Sequence, residues 1–267
     1  MDISPSLQLK HRQVQTLLAD YGPVAIAFSG GVDSTLLLKI AHNTLGDRCL
    51  ALFADSLVQP QEEREGARAL ARAIGAPLRL IPFAPLTLPE FAANPADRCY
   101  HCKKAIFAAF LTVASECNFP WLADGTNSDD LAKERPGQRA VVELGVKSPL
   151  AAAGLTKEEI RLLSRALGLP TWNKPSASCL ATRIPAHTPI TVANLSLVDA
   201  AERTLHTLGY QGCRVRWAES TATIELASGD IARLARHGDF IKIRAYLQSL
   251  GVKKVFLDLL ERESILS

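Results

Sequence analysis

VAIAFSGGVDSTLLLKI, residues 24 to 40, joins an unbroken apolar run to a leucine-rich stretch through a turn with two glycines. VAIAFS reads as a strand buried on both faces, and DSTLLLKIAHNTL as a helix. A glycine-rich turn that follows a strand and opens a helix is a phosphate site in waiting. Gly30 and Gly31 let the backbone approach a phosphate with no side chain in the way. The turn's amides and the hydroxyls of Ser29, Ser34 and Thr35 can donate to phosphate oxygens at the positive helix end. Asp33 is an odd neighbour for a polyanion unless Mg²⁺ is shared between them, or unless it N-caps the helix. The lysine of a Walker A loop is missing.

Working outward, the same alternation continues. HRQVQTLLADY reads as a helix, CLALFADS as a strand, PQEEREGARALARAIG as a helix and LRLIPF as a strand. After a proline-rich stretch (APLTLPEFAANPADRC) come the helix KKAIFAAFLTVASEC and the strand PWLADGT. TKEEIRLLSRALG opens with Thr156 and Glu159 in capping-box spacing. LAAAGL (150–155) reads as a connection. Short apolar strands alternating with helices predict an α/β fold with a parallel sheet covered on both faces. Near Pro170 the pattern changes to helix, strand, strand, two helices and strand, a smaller C-terminal α+β unit. The expected domains are therefore 1–170 and 171–267.

A hydrophobic fraction of 48% suits a packed core. No apolar run approaches the roughly 20 residues of a membrane span, and the first residues lack a signal-type apolar stretch. Six cysteines in 267 residues do not resemble a disulfide scaffold and fit a reducing, cytoplasmic setting. The net charge of +3 lies wholly in residues 171–267. That excess is too small to argue for nucleic acid and suits a small anionic ligand held by a few arginines.

The second constellation is NKPSASCLATRIP, residues 173–185. Cys179 there could be a buried filler, a metal ligand or a reagent. A loop rich in Ser, Lys, Thr and Arg is a poor place for a structural thiol. Arg183, four residues on, could supply the positive field that lowers a thiol pKa. In CRVRWA, strand alternation puts Arg214 and Arg216 on one face, where two guanidinium forks can hold a phosphate or simply face solvent. Cys99-Tyr-His-Cys102 has zinc or redox spacing. A structural zinc needs four ligands and no second pair follows, so no resident metal is expected. Arg98 and Lys103 beside it could face phosphate. DGTNSDD (124–130) follows a strand, where open α/β sheets gather ligands. Thr126, Asn127 and Asp129 could equally be helix caps.

SGGVDST resembles the PP-loop of ATP pyrophosphatases (the adenine nucleotide alpha hydrolase-like fold), which split ATP between the α and β phosphates and adenylate a substrate oxygen. With RCYHCK (98–103), DGTNSDD, ELGVKSPL (143–150) and KPSASCLATRIP in order, residues 10–250 resemble the LarE family, the ATP-dependent sacrificial sulfur transferases of nickel-pincer cofactor synthesis. The resemblance implies use of ATP and Mg²⁺ and adenylation of a carboxylate on a pyridinium dicarboxylate mononucleotide. It further implies displacement of AMP by Cys179, and cleavage of that cysteine's own Cβ–S bond to leave dehydroalanine. An iron–sulfur branch builds a cluster on three cysteines. Here Ser176 and Ser178 flank Cys179 with no second thiol in the loop, which favours the sacrificial version.

Ser56 and Gly125, each just after a strand, are expected to join the PP-loop residues around adenosine; Arg214, Arg216 and Arg183 are the candidates for the substrate phosphate, and Glu202 and Asp230 join them by approximate position in the family's second domain. Similar proteins form hexamers, so a homo-oligomer is expected. The alternative is a PP-loop synthetase that amidates or thiolates another adenylated substrate from an external donor. The chain departs from the family twice. Arg183-Ile184-Pro185-Ala186-His187 stands where R-x-P-Y-G is usual, and LDLLERESILS lacks a glycine- and tyrosine-containing finish.

Overall fold

The structure is a computed structural model that describes residues 3–132, 136–175, 178–227 and 229–260. Its first helix, α1 (Pro5–Tyr21), starts where Ser4 accepts a hydrogen bond from the Leu7 amide and proline takes the first position. Leu7, Val14 and Leu18 form its buried stripe. Then follow β1 (Val24–Ala27), α2 (Val32–Leu45), β2 (Cys49–Asp55), α3 (Gln61–Ile74) and β3 (Leu78–Pro82). A one-turn α4 (Pro89–Ala92) precedes α5 (Arg98–Glu116) and β4 (Trp121–Ala123).

The four strands form one sheet in the order β3-β2-β1-β4, every pair parallel. Alternation along the strands builds two cores. Val24, Ile26, Ala51 and Phe53 pack with α1, α2 and α3, whereas Ala25, Leu50, Leu52 and Ala54 pack with Phe107 and Phe110 of α5. Unbroken apolar strands thus yield the expected parallel sheet covered on both faces.

Four short helices were not foreseen: α4, inside the proline-rich stretch, and α6 (Ser128–Leu131), α7 (Pro136–Glu143) and α8 (Pro149–Ala152). The last corrects the reading of LAAAGL as a plain connection. Pro149 starts a helical turn, and Leu150, Ala153 and Leu155 are buried in the core. In α9 (Lys157–Ala166) the capping box forms as its spacing predicts. The Glu159 amide donates to Thr156 Oγ1 at 3.2 Å, and the Thr156 amide to Glu159 Oε2 at 2.9 Å.

Beyond the cysteine segment lie α10 (Val192–Thr207), β5 (Arg214–Ala218), β6 (Thr221–Glu225), α11 (Asp230–His237), α12 (Phe240–Ser249) and β7 (Lys254–Leu257). The sheet order is β5-β6-β7, antiparallel then parallel. Tyr210, Val215, Ile224, Leu234, Ile243 and Leu247 fill its core. The chain divides into two compact units. One comprises Met1–Ser56, Glu62–Ala84 and Asp97–Lys174; the other comprises Leu57–Gln61, Pro85–Ala96 and Pro175–Ser267. Where the sequence suggests one boundary after residue 170, two short stretches from the first half belong to the second unit. Among the described residues no helix is long and apolar enough to cross a membrane.

Candidate active site

The turn between β1 and α2 is shaped by its glycines. Gly30 has φ +73°, and a Cβ there would meet the Cβ of Ala67 at 3.0 Å and its Cα at 3.3 Å. Only glycine meets both demands. Gly31 is the N-cap of α2, with no side chain bonded to the helix's first amides. The hydroxyls of Ser29 and Ser34 lie 3.0 Å apart, and Ser34 Oγ donates to the Gly31 carbonyl at 3.3 Å, which ties the turn to itself. Thr35 Oγ1 and Ser56 Oγ are buried with no hydrogen-bond partner among the described residues. Thr35 lies in the first turn of α2 and Ser56 directly after β2; a buried hydroxyl left unpaired costs about 1–3 kcal/mol.

Gly125, after β4, matters for close approach. A Cβ on it would lie 2.8 Å from the Ser34 amide nitrogen and 3.1 Å from the Asp33 carbonyl carbon. The β4–α6 turn therefore rests directly on the first turn of α2. From that turn Asn127 caps α6, as one of its two readings expects, and also donates to Asp33 Oδ1 at 3.2 Å. Asp129 accepts from the Lys157 amide at 2.7 Å and so caps α9.

Asp33 does not cap its own helix, which corrects one of its two expected roles. Its Oδ2 pairs with Lys157 Nζ at 2.5 Å. Lys157 itself escaped the sequence reading. The available signal was a lysine in the first turn of a helix, where the macrodipole disfavours positive charge. Lys103 meets Asp124 Oδ2 at 3.4 Å and lies over the Phe107 ring. Asp124 is buried and also accepts from Thr126 Oγ1 and Ser148 Oγ, each at 2.7 Å.

In the second unit Cys179 is half-buried and immediately precedes a 3₁₀ turn, Leu180–Arg183. Thr182 donates to the Cys179 carbonyl through its amide at 2.9 Å and its hydroxyl at 2.7 Å. The Leu180 amide donates to the Val58 carbonyl at 2.8 Å. Arg183 is buried. Its Nε and Nη2 fork onto the two oxygens of buried Glu202 at 2.8 and 2.9 Å, and its Nη1 donates to the Ser178 carbonyl at 2.9 Å. Glu202 Oε1 also accepts from the Val215 amide at 2.9 Å. Where the sequence expects Arg183 and Glu202 at a substrate, every nitrogen of the one and both oxygens of the other are engaged within the protein. Together they clamp the backbone around Cys179 to α10 and β5.

Val215 is fully buried, so Arg214 and Arg216 share the opposite face of β5, as alternation requires. Arg216 pairs with Glu225 and donates to the Thr182 carbonyl at 3.0 Å, which brings it to the cysteine turn. Asp230 instead opens α11 and lies 3.7 Å from Arg233, joining none of these residues through a described bond. Ser176 and residues 261–267 lie outside the described residues. His187, in the family's glycine position, keeps glycine-like backbone at φ +65°. Asn94, missed in the sequence, staples this segment by donating to the carbonyls of Pro185 at 2.7 Å and Thr188 at 2.9 Å.

None of the six cysteines forms a disulfide. Burial, reinforced by Asp47, pushes the Cys49 thiol up to about 11, so it stays protonated and inert. Cys99 and Cys102 sit in the first turn of α5, exposed and half-buried respectively. Among the described residues no group of three or more His, Cys, Asp or Glu is placed to hold a metal.

No family model matches the chain. It is 37% identical to an uncharacterised protein of Synechocystis over 95% of this chain and 94% of that one. It is 35% identical to the pyridinium-3,5-bisthiocarboxylic acid mononucleotide synthase of Lactiplantibacillus plantarum, over 95% of this chain and 92% of that enzyme. A subunit of the glutamine-hydrolysing GMP synthase of Archaeoglobus fulgidus is 27% identical over 64% of this chain and 58% of its own length.

Proposed function

We propose, for a chain that belongs to the pyridinium-3,5-bisthiocarboxylic acid mononucleotide synthase (LarE) family, an ATP-dependent sulfur transferase whose sulfur comes from Cys179. The observation that carries the reading is the buried Arg183–Glu202 pair, which fixes the backbone around a half-buried thiol in a polar turn. A structural cysteine needs no such support.

The chemistry divides between the two units. A carboxylate is a poor electrophile until it carries a leaving group. The substrate oxygen attacks the α-phosphorus of ATP, pyrophosphate leaves, and the carboxylate becomes an acyl adenylate. Ser29, Gly30, Gly31, Ser34 and Thr35 hold the phosphates with backbone amides and hydroxyls; Ser56 and Gly125 border the nucleotide. Asp33, which pairs with Lys157 in this structure, would supply a hard oxygen to Mg²⁺, whose charge would offset that of the phosphates. The Cys179 thiolate then attacks the acyl carbon, AMP leaves, and a thioester forms. A base removes the Cα proton of Cys179; that electron pair makes the Cα=Cβ bond, and the Cβ–S bond breaks. Sulfur departs as the product's thiocarboxylate, and dehydroalanine remains.

Arg214 and Arg216 are the residues we assign to the mononucleotide phosphate, Arg216 exchanging Glu225 for it. The substrate is thus a small anionic molecule, not nucleic acid. A consumable thiol needs a reducing compartment, which places the enzyme in the cytoplasm. The resemblance supports reading it as a homo-oligomer.

Cys179→Ser tests the assignment. With Mg-ATP and the pyridinium dicarboxylate mononucleotide, the variant is expected to release pyrophosphate yet give no thiocarboxylate. Thiocarboxylate formed by Cys179→Ser would move the sulfur source to an external donor.

A further inference from the structure

The chain that leads to Cys179 is anchored on the phosphate-binding turn. Lys174 Nζ donates to the Gly30 carbonyl at 3.1 Å and to Glu63 Oε2 at 2.6 Å, with the lysine side chain about three-quarters buried (24% exposed). Helix α9 holds the backbone on either side. Arg161 donates to the Trp172 carbonyl at 2.9 Å and to the Lys174 carbonyl at 3.1 Å, and the Arg165 guanidinium lies 4.8 Å over the Trp172 ring. The same helix opens at Lys157, which grips Asp33 of the phosphate turn. One helix therefore holds the turn at its start and the approach to Cys179 further along. An ordinary surface lysine would need none of these contacts, since exposed ammonium groups gain little from a fixed partner.

Four residues lie between Lys174 and Cys179, so five Cα–Cα steps join them, a reach of at most about 18 Å for extended chain. Lys174 is thus the fixed point from which the chain runs on to Cys179. We propose that Lys174 is a positioning residue for sulfur transfer: it anchors the chain that leads on to Cys179 and takes no part in making the acyl adenylate. Gly30 and Glu63 are its two fixed points. The inference rests on Cys179 as the sulfur donor.

Lys174→Ala and Lys174→Arg, made in the full chain, separate the two steps. Each is given Mg-ATP and the pyridinium dicarboxylate mononucleotide, with first-turnover pyrophosphate and dehydroalanine at position 179 both followed. In Lys174→Ala, pyrophosphate release is expected to stay within about threefold of wild type while dehydroalanine formation slows about tenfold or more, because a small misplacement of the nucleophile is costly. Retained pyrophosphate release also reports an intact fold. Lys174→Arg keeps a donor for both acceptors and is expected to recover part of the second step. Undiminished dehydroalanine formation in Lys174→Ala would overturn the inference, as would an equal loss of both steps. A wild-type chain that releases pyrophosphate but keeps its sulfur would sink the donor reading itself.

Discussion

Arg183 and Glu202 are each about 95% buried and joined by two charge-assisted bonds, with the peptide groups of Ser178 and Val215 using the remaining capacity. Removing one partner strands the other's charge in a dry site. Arg183→Ala is expected to lose about 3–5 kcal/mol in denaturant unfolding, and Arg183→Met with Glu202→Leu to lose clearly less. A single variant within about 1 kcal/mol of wild type would mean the pair is solvated and does not brace the cysteine turn. At this scale, legibility in the sequence depended on separation along the chain. The SGGVDST hydroxyls are neighbours, so their convergence follows from one strand–turn–helix. Arg183 reads as a phosphate ligand only because its partner, 19 residues on, has no local signature. Lys157 and Asp33 are 124 residues apart, and only folding joins them.

Periodicity carried most of the elements. Strands and helices of the parallel sheet followed from alternating apolar runs, and α4, α6, α7 and α8 escaped because one or two turns show no repeat. The β5–β6 hairpin turns through Glu219 and Ser220, both at positive φ, without the Asn-Gly or Asp-Gly pair that usually announces such a turn. In the same unit, Tyr210 ties the end of α10 to the start of α12: its hydroxyl donates to Asp239 Oδ2 at 2.8 Å, and Arg233 lies 4.6 Å over its ring. Burial first, and the Asp239 carboxylate second, push this phenol from 10 up to about 12. The fold favours the protonated form, so its stabilising contribution is complete below pH 10 and is lost as pH rises through about 12. Urea melts across that window should show the decline, and Tyr210→Phe should flatten it. An equal decline in Tyr210→Phe would assign the loss to other groups.

On the proposed function one unit adenylates the substrate and the other carries the thiol that is consumed, and the order of motifs in the sequence already suggests that plan. Its strand order did not, nor did the assignment of Leu57–Gln61 and Pro85–Ala96 to the second unit. Such associations arise between segments with no shared local pattern. The central claim concerns the fate of one atom, the sulfur of Cys179. It is tested most directly by the intact mass of the protein before and after incubation with Mg-ATP and the pyridinium dicarboxylate mononucleotide, with peptide mapping across residues 173–185. Loss of the elements of H₂S, located at Cys179, is the predicted result. Pyrophosphate and thiocarboxylate appearing while Cys179 keeps its mass would contradict the account.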